Sequence, residues 1–131
     1  MTVVRASIEI DSFVHVNPIP SATRCGPLIE SSIIPAYNDG VREMPDTLEE
    51  MVSNLFLHMG NMLVAANAGW DDLVKVTFFT GDPGAARELL NKPWLELFPD
   101  PDSRPSRHTM KVDGPADRPS ISCVFTAYID S

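Results

Sequence analysis

Two apolar segments most constrain what this chain can fold into, because only two other segments have the pattern of helices. Segment 73–80 (LVKVTFFT) and segment 121–129 (ISCVFTAYI) are rich in β-branched and aromatic residues, which is typical of buried strands. Two helices are too few to cover both faces of a sheet, so we expect them to share one face. The apolar strands suggest that a second copy of the chain covers the other face.

The first helix is predicted over residues 46–68. Asp46 followed by Glu49 has the spacing of a capping box, and Gly69 supplies a stop. Apolar residues at helical spacing define one buried stripe: Leu48, Val52, Leu55, Met59, Met62 or Leu63, and Ala66. His58 lies beside this stripe, and we interpret it as a partly buried structural histidine.

The remaining elements predict an α+β fold in a single domain spanning residues 1–131. A second helix runs from Asp82-Pro83-Gly84 to Phe98, with a kink or a break at Pro93 because proline removes a helical N–H. Further strands are predicted over 2–10, 28–34 and 106–112, with a turn at 24–26 and another at 37–40. The resulting order is ββ(β)αβαββ, a mixed sheet with two helices packed on one face.

The proline-rich segment 97–110 (LFPDPDSRPSRHTM) joins the second helix to the next strand. Its three prolines keep the chain extended until that strand begins. Alternation then points Arg107, Thr109 and Lys111 to one face and Ser106, His108 and Met110 to the other. An arginine at the start of a strand, just after a loop, is well placed to bind a carboxylate through two N–H groups. The alternative is that Arg107 pairs with an acidic group of the chain. Arg104, which precedes a proline, is expected to be solvated or to fix the loop.

Charge and cysteine usage exclude several classes of function. The net charge of −8 argues against nucleic-acid binding, which needs a basic surface. With no signal peptide, Cys25 and Cys123 are expected to be reduced core thiols in a cytoplasmic protein. The three histidines are scattered and no CxxC pair occurs, so neither a metal nor another cofactor is predicted. No apolar run approaches the length that spans a membrane.

Several segments, taken in order, resemble the RidA/YjgF family, also known as L-PSP endoribonucleases. The similar segments are 17–26 (NPIPSATRCG), 28–29 with 31–32, 47–50 (TLEE), 71–77 (DDLVKVT), Asn91 with Trp94, 98–100 (FPD) and 104–109 (RPSRHT). They cover nearly the whole chain. The resemblance implies a chorismate-mutase-like α+β subunit in a homotrimer, with the sheets forming an inner barrel and clefts between subunits.

The resemblance also implies a site. In archetypal members an arginine after Pro-x grips the substrate carboxylate, and Arg107 in Pro105-Ser106-Arg107 matches it. Ser31 corresponds to the serine of the family's Ser-Gly-Gln segment, and Asn91 to the asparagine of the second helix. Three positions differ: Ile19 replaces a tyrosine, Ile33 a glutamine, and Val124 the glutamate associated with positioning water. Carboxylate binding is thus retained, while polar partners are replaced by apolar ones.

The resemblance implies a hydrolase that deaminates a small enamine or imine bearing a carboxylate, with Arg107 holding that carboxylate, whereas Val124 favours binding without turnover. His15 and His108 are candidates to orient the attacking water. His108 lies on the strand face opposite Arg107, so we expect His15 to be the better placed. Two alternatives stay open: a trimer that binds a small carboxylate without turnover and, disfavoured by the charge, an endoribonuclease. The apolar Ile19 and Ile33 suggest a ligand bulkier or less polar than the short imino acids.

Overall fold

The computed structural model describes residues 4–130, which form one mixed sheet with two helices. The strands are β1 Arg5–Ile8, β2 Ala22–Cys25, β3 Leu28–Ser31, β4 Ile34–Pro35, β5 Leu73–Thr80, β6 Ser106–Lys111 and β7 Ile121–Tyr128. The helices are α1 Leu48–Ala65 and α2 Pro83–Leu97, and a short 3₁₀ turn, Trp70–Asp72, leads into β5. The sheet order is β1-β2-β3-β7-β5-β6, and β4 also pairs with β7. The predicted α+β class is confirmed.

Both helices pack on one face of the sheet, as predicted. Val76 and Phe78 of β5 and Phe125 of β7 point to that face and are buried in one cluster with Leu55 of α1 and Leu90 of α2. β5 and β6 pair in parallel, and α2 is the crossover between them. The other described strand pairs are antiparallel. Within residues 4–130, no helix is long and apolar enough to cross a membrane.

The other face of the sheet carries more polar side chains than the apolar strand sequences predict. Alternation sends half of their apolar side chains under the helices, which leaves Thr77 and Phe79 of β5 and Val124 and Thr126 of β7 on the open face. The Thr126 hydroxyl lies 2.9 Å and 3.0 Å from the two carboxylate oxygens of Glu30. A second copy of the chain as the cover of this face stays a prediction.

The strands at the beginning of the chain differ from their predicted bounds. The described part of the predicted strand 2–10 pairs only over β1, and its residues 2 and 3 lie outside the described residues. β2 was not predicted; the expected turn falls instead at Gly26-Pro27, where Gly26 has a φ of 60°. The predicted strand 28–34 divides into β3 and β4, because one extra residue interrupts the pairing with β7.

Helix α1 begins one residue later than its sequence pattern predicts. Thr47, not Asp46, is the N-cap residue, and its hydroxyl accepts a hydrogen bond of 3.1 Å from the Glu50 N–H. The same hydroxyl donates to the Glu50 carboxylate at 2.9 Å, so Glu50 replaces Glu49 as its partner. The pairs Asp46–Glu49 and Thr47–Glu50 have the same spacing, and the helix uses the second pair as its cap.

Helix α1 ends at Ala65, and Asn67 rather than the predicted Gly69 is the residue that stops it. Asn67 adopts a left-handed φ of 60°, and the Ala68 N–H bonds to the Leu63 carbonyl at 2.8 Å, as in a Schellman motif. The Arg24 guanidinium also donates to the Ala66 carbonyl at 2.6 Å. An arginine of β2 thereby satisfies a carbonyl that the helix end leaves free.

Helix α2 begins where the sequence predicts and passes through Pro93 without dividing. The Asp82 carboxylate accepts a bond of 3.2 Å from the Ala85 N–H, and Pro83 occupies the first turn. Leu90 and Trp94, on either side of Pro93, are buried against the sheet. Their packing offsets the lost hydrogen bond, so the predicted break into two helices is wrong.

The two cysteines have different environments. Cys123 is fully buried in β7, and burial raises the pKa of its thiol well above the ordinary range. Cys25 on β2 is only partly buried and lies outside the core cluster. Both are free thiols. The predicted core position is therefore confirmed for Cys123 and wrong for Cys25, because Cys25 pairs with Leu28 and Leu28 with Tyr128, on the open face of the sheet.

His58 is a structural histidine with no solvent exposure, and is thus more buried than predicted. Its Nε2 lies 2.8 Å from the Tyr37 carbonyl and its Nδ1 lies 2.8 Å from the Ser12 hydroxyl. Because a carbonyl can only accept, Nε2 carries the proton and Nδ1 accepts from Ser12. Burial lowers the pKa of His58, and the Tyr37 carbonyl and Asp39 oppose that shift.

Acidification should destabilise the protein through His58. The unfolded chain takes up a proton near the ordinary pKa of 6.5, while the folded chain resists protonation. The free energy of unfolding should therefore fall as the pH drops from about 7 to about 5.5, by at most about 1.4 kcal/mol per pH unit. Urea unfolding at several pH values should show that His58→Gln reduces this slope, and that the exposed-site variant His108→Gln keeps it. Equal slopes in both variants would contradict the assignment.

Candidate functional site

The loop before β6 is fixed by its own side chains. The Arg104 guanidinium donates to the Phe98 carbonyl at 2.9 Å and to the Pro99 carbonyl at 3.3 Å. The Asp100 carboxylate accepts a 2.9 Å bond from the Asp102 N–H. Arg104 is thus a loop-fixing residue, as predicted, and the loop delivers the chain to the start of β6.

Arg107 is held by an amide and an aromatic ring of α2. It pairs with Val76 of β5, which directs its side chain to the helix face. Its Nη2 donates to the Asn91 side-chain oxygen at 2.8 Å. Its guanidinium carbon lies 5.1 Å from the centre of the Trp94 ring, within the range of a cation–π contact. These two contacts fix both the position and the plane of the guanidinium.

The second terminal nitrogen of Arg107, Nη1, is a donor without a partner in the described part of the chain. Nη1 is buried and makes no hydrogen bond to residues 4–130. The hydrogen bond that Arg107 does make goes to an amide and not to a carboxylate, so the alternative of an internal acidic partner gains no support. Burial lowers the pKa of Arg107, and the neighbouring cation Arg87 lowers it further. A buried donor beside a second cation is suited to receive an anion.

Ser31 lies far from Arg107 in the same chain and has a structural partner. Its hydroxyl accepts a 2.8 Å bond from the Phe125 N–H, at the interruption between β3 and β4. Phe125 pairs with Val76, and Val76 pairs with Arg107, so Ser31 and Arg107 are three strand spacings apart. That separation is roughly 14 Å, too far for both side chains to bind one small carboxylate.

His15 and Ile33 share a separate cleft of about 200 Å³. Its other lining residues are Phe13, Val14, Val16, Asn17, Pro35, Tyr37 and Arg42. The His15 ring meets the Phe13 ring edge-on at 5.1 Å, and its buried Nε2 has no partner among the described residues. The structure therefore brings together two of the residues predicted for the site, at a distance from Arg107.

Ile33 also lines a larger, mostly apolar cleft of about 380 Å³ at the ends of β5 and β7. Phe79, Val112, Ile121 and Ser122 contribute to its wall. These residues were not singled out from the sequence. Alternation along β7 would have drawn attention to Ser122, because it shares a face with Val124 and lies nearer the cleft.

The remaining predicted residues are not gathered at Arg107. Val124 is partly buried on the open face of the sheet, while Arg107 lies on the helix face. Ile19 is 45% exposed in the segment before β2. One chain therefore contains an Arg107–Asn91 group and a His15–Ile33 group, which do not meet. Within residues 4–130, no three His, Cys, Asp or Glu residues could hold a metal ion together.

This architecture, two helices on one face of a mixed sheet whose edge strand β6 carries Arg107, defines a class of small α+β proteins. Residues 8–121 match the Endoribonuclease L-PSP family. The chain belongs to that family, which is the RidA/YjgF family. No curated protein has a significant sequence match to this chain.

Solved structures of this family share the fold. A putative endoribonuclease of Thermotoga maritima is 22% identical, with a TM-score of 0.83 over 96% of this chain and 98% of its own. The YjgF gene product of E. coli is 18% identical, with a TM-score of 0.81 over 95% and 99%. E. coli TdcF, solved with bound serine, is 16% identical, with a TM-score of 0.81 over the same shares. At these identities the likeness concerns the fold alone.

Replacing Arg107 by lysine should weaken the binding of small carboxylates about tenfold or more, because the planar fork is lost while the charge remains. Calorimetric titration of 2-oxobutyrate and benzoate measures this. Arg5→Lys, on an exposed residue of β1, is the matched control and should bind like the wild type. Equal affinities in all three proteins would show that Arg107 serves only the structure.

Proposed function

We propose that this protein binds a small enamine or imine through its carboxylate and hydrolyses it to a carbonyl compound and ammonia. The observation that carries the proposal is the buried Nη1 of Arg107, which has no partner within residues 4–130 although Asn91 and Trp94 hold the guanidinium. A ligand carboxylate would accept from Nη1 and share the positive charge, which an amide partner leaves uncompensated.

The site is proposed to lie between subunits of a homotrimer. The residues that the resemblance assigns to one site fall into groups that one chain does not bring together. β6, which carries Arg107, ends the sheet and leaves its outer edge without a strand partner among the described residues. If the edge near Arg107 faces the His15–Ile33 group of another chain, both groups line a single cleft.

In the proposed reaction, an enamine first tautomerises to the imine by moving a proton from nitrogen to carbon. Water then attacks the carbon of the C=N bond, and the resulting carbinolamine loses ammonia to leave a carbonyl group. Arg107 holds the carboxylate and thereby fixes the reacting carbon. The His15 imidazole of the neighbouring chain would orient the water, since its Nε2 is buried without a described partner. The apolar Ile33 beside it would help to exclude bulk solvent.

A trimer that binds a carboxylate without turnover is the second candidate. Asn91 and Trp94, which contact Arg107, cannot act as a general acid or base. The positions that resemble the family's water-handling glutamine and glutamate are Ile33 and Val124. An endoribonuclease is not proposed, because a net charge of −8 would repel RNA.

Ammonia release from imines generated in situ distinguishes turnover from binding. We expect the wild type to accelerate release, and His15→Gln to lower kcat at least about tenfold with little change in carboxylate affinity. His108→Gln is the control, because His108 lies on the opposite face of β6 and should leave the rate unchanged. A wild type that binds carboxylates but leaves the rate at its uncatalysed value would establish the binder instead.

The proposed assembly predicts a sedimentation mass of about three times the 14.4 kDa of one chain. The mass should not depend on concentration in the micromolar range, because neighbouring chains that cover the open face of the sheet form a large interface. A mass of one chain would contradict both the trimer and the shared cleft.

A further inference from the structure

The two flanks of α2 carry different charges. Glu88, Lys92 and Glu96 line the groove between α1 and α2. Asn91 and Trp94, on the other flank, contact Arg107 of β6. Arg87 lies one helical turn before Asn91 on that second flank, since residues four apart share a helix face. The carboxylates at 88 and 96 are thus turned away from β6, and a cation is turned towards it.

The facing side of β6 adds a further cation. Thr109 and Lys111 follow Arg107 on the same face, because their partners Phe78 and Thr80 lie on the face of Val76. A crossover helix between parallel strands runs antiparallel to both. Arg87 lies about 10 Å before Trp94 along the axis of α2. Because α2 and β6 run in opposite directions, Arg87 therefore lies beside the part of β6 that follows Arg107. Three of the ten basic residues, Arg87, Arg107 and Lys111, therefore lie on the facing sides of α2 and β6 in a chain of net charge −8.

Partial burial lowers the pKa of the Arg107 guanidinium, and the charge of the nearby Arg87 lowers it further. Two neighbouring cations repel each other, and an anion bound between them offsets that repulsion. A single carboxylate bound to Arg107 pairs with one of the two cations and leaves the charge of the exposed Arg87 without a counter-charge from the ligand. The two cations thus favour a ligand with a second negative group.

We propose that the ligand of Arg107 carries a second anionic group, a carboxylate or a phosphate, that lies against Arg87. The inference rests on the proposed function, because it takes carboxylate binding at Arg107 as its starting point. Arg87 is then a residue that sets ligand specificity. Ile19 and Ile33 lie on other elements, so the same ligand can present an apolar part to them.

A matched set of ligands with four-atom backbones, in which phosphorus replaces one carbon of the phosphonate, tests this proposal by calorimetry at low salt. Butyrate has one carboxylate and succinate has two on a chain of the same length, while 3-phosphonopropionate carries a phosphonate as its second group. Wild-type protein should bind the better of the two dianions about three- to fivefold more tightly than butyrate. Which dianion binds better identifies the second group.

Arg87→Gln should abolish that preference, and the affinity for butyrate should fall less than the affinity for the preferred dianion. Lys92→Gln removes one positive charge from the opposite flank of the same helix and should keep the preference. Wild-type protein that binds butyrate and both dianions equally, or a preference that survives Arg87→Gln, would overturn this inference alone. If none of the three ligands binds, the inference and carboxylate binding at Arg107 both fail.

Discussion

The buried donor of Arg107 is the interaction on which the proposed site depends. The chain gives this guanidinium an amide oxygen and an indole ring but no carboxylate among the described residues. A buried donor without a partner costs about 1–3 kcal/mol, and a ligand that supplies an acceptor regains that energy. The empty protein thus keeps a positive charge in position, so little of the binding energy is spent on arranging it.

Elements distant in the sequence hold this charge in place. The loop fixed by Arg104 starts β6 at the right residue, and the parallel register with β5 sets Arg107 opposite Val76. Helix α2 then places Asn91 and Trp94 over the side chain. The same sheet keeps Ser31 three strand spacings away and leaves the His15–Ile33 group elsewhere in the chain. A shared site therefore needs the edge of one chain to meet the cleft of another.

Much of the fold is readable from the sequence, because β5, β7 and both helices have strong apolar patterns. β2 has no such pattern in its residues ATRC, and it forms a strand because β1 and β3 flank it. The interruption between β3 and β4 at Ser31 arises from their pairing with β7. The local sequence around Ser31 does not reveal that pairing. Arg107 was recognisable from its place after the prolines. The contact with Trp94 and the approach of Arg87 arise through space, so no local pattern reveals them.

The most direct test asks whether two defective chains can complete one site. Arg107→Ala removes the carboxylate partner, and Ile33→Glu places a negative charge in the other half, so neither variant alone should bind 2-oxobutyrate. In equal mixtures refolded together, about a quarter of the clefts should pair an intact Arg107 edge with an intact Ile33 cleft and recover binding. Calorimetry that finds about this fraction of sites would support the shared cleft. A mixture of trimers with no binding would contradict it, because a site contained in one chain cannot be restored by a neighbour.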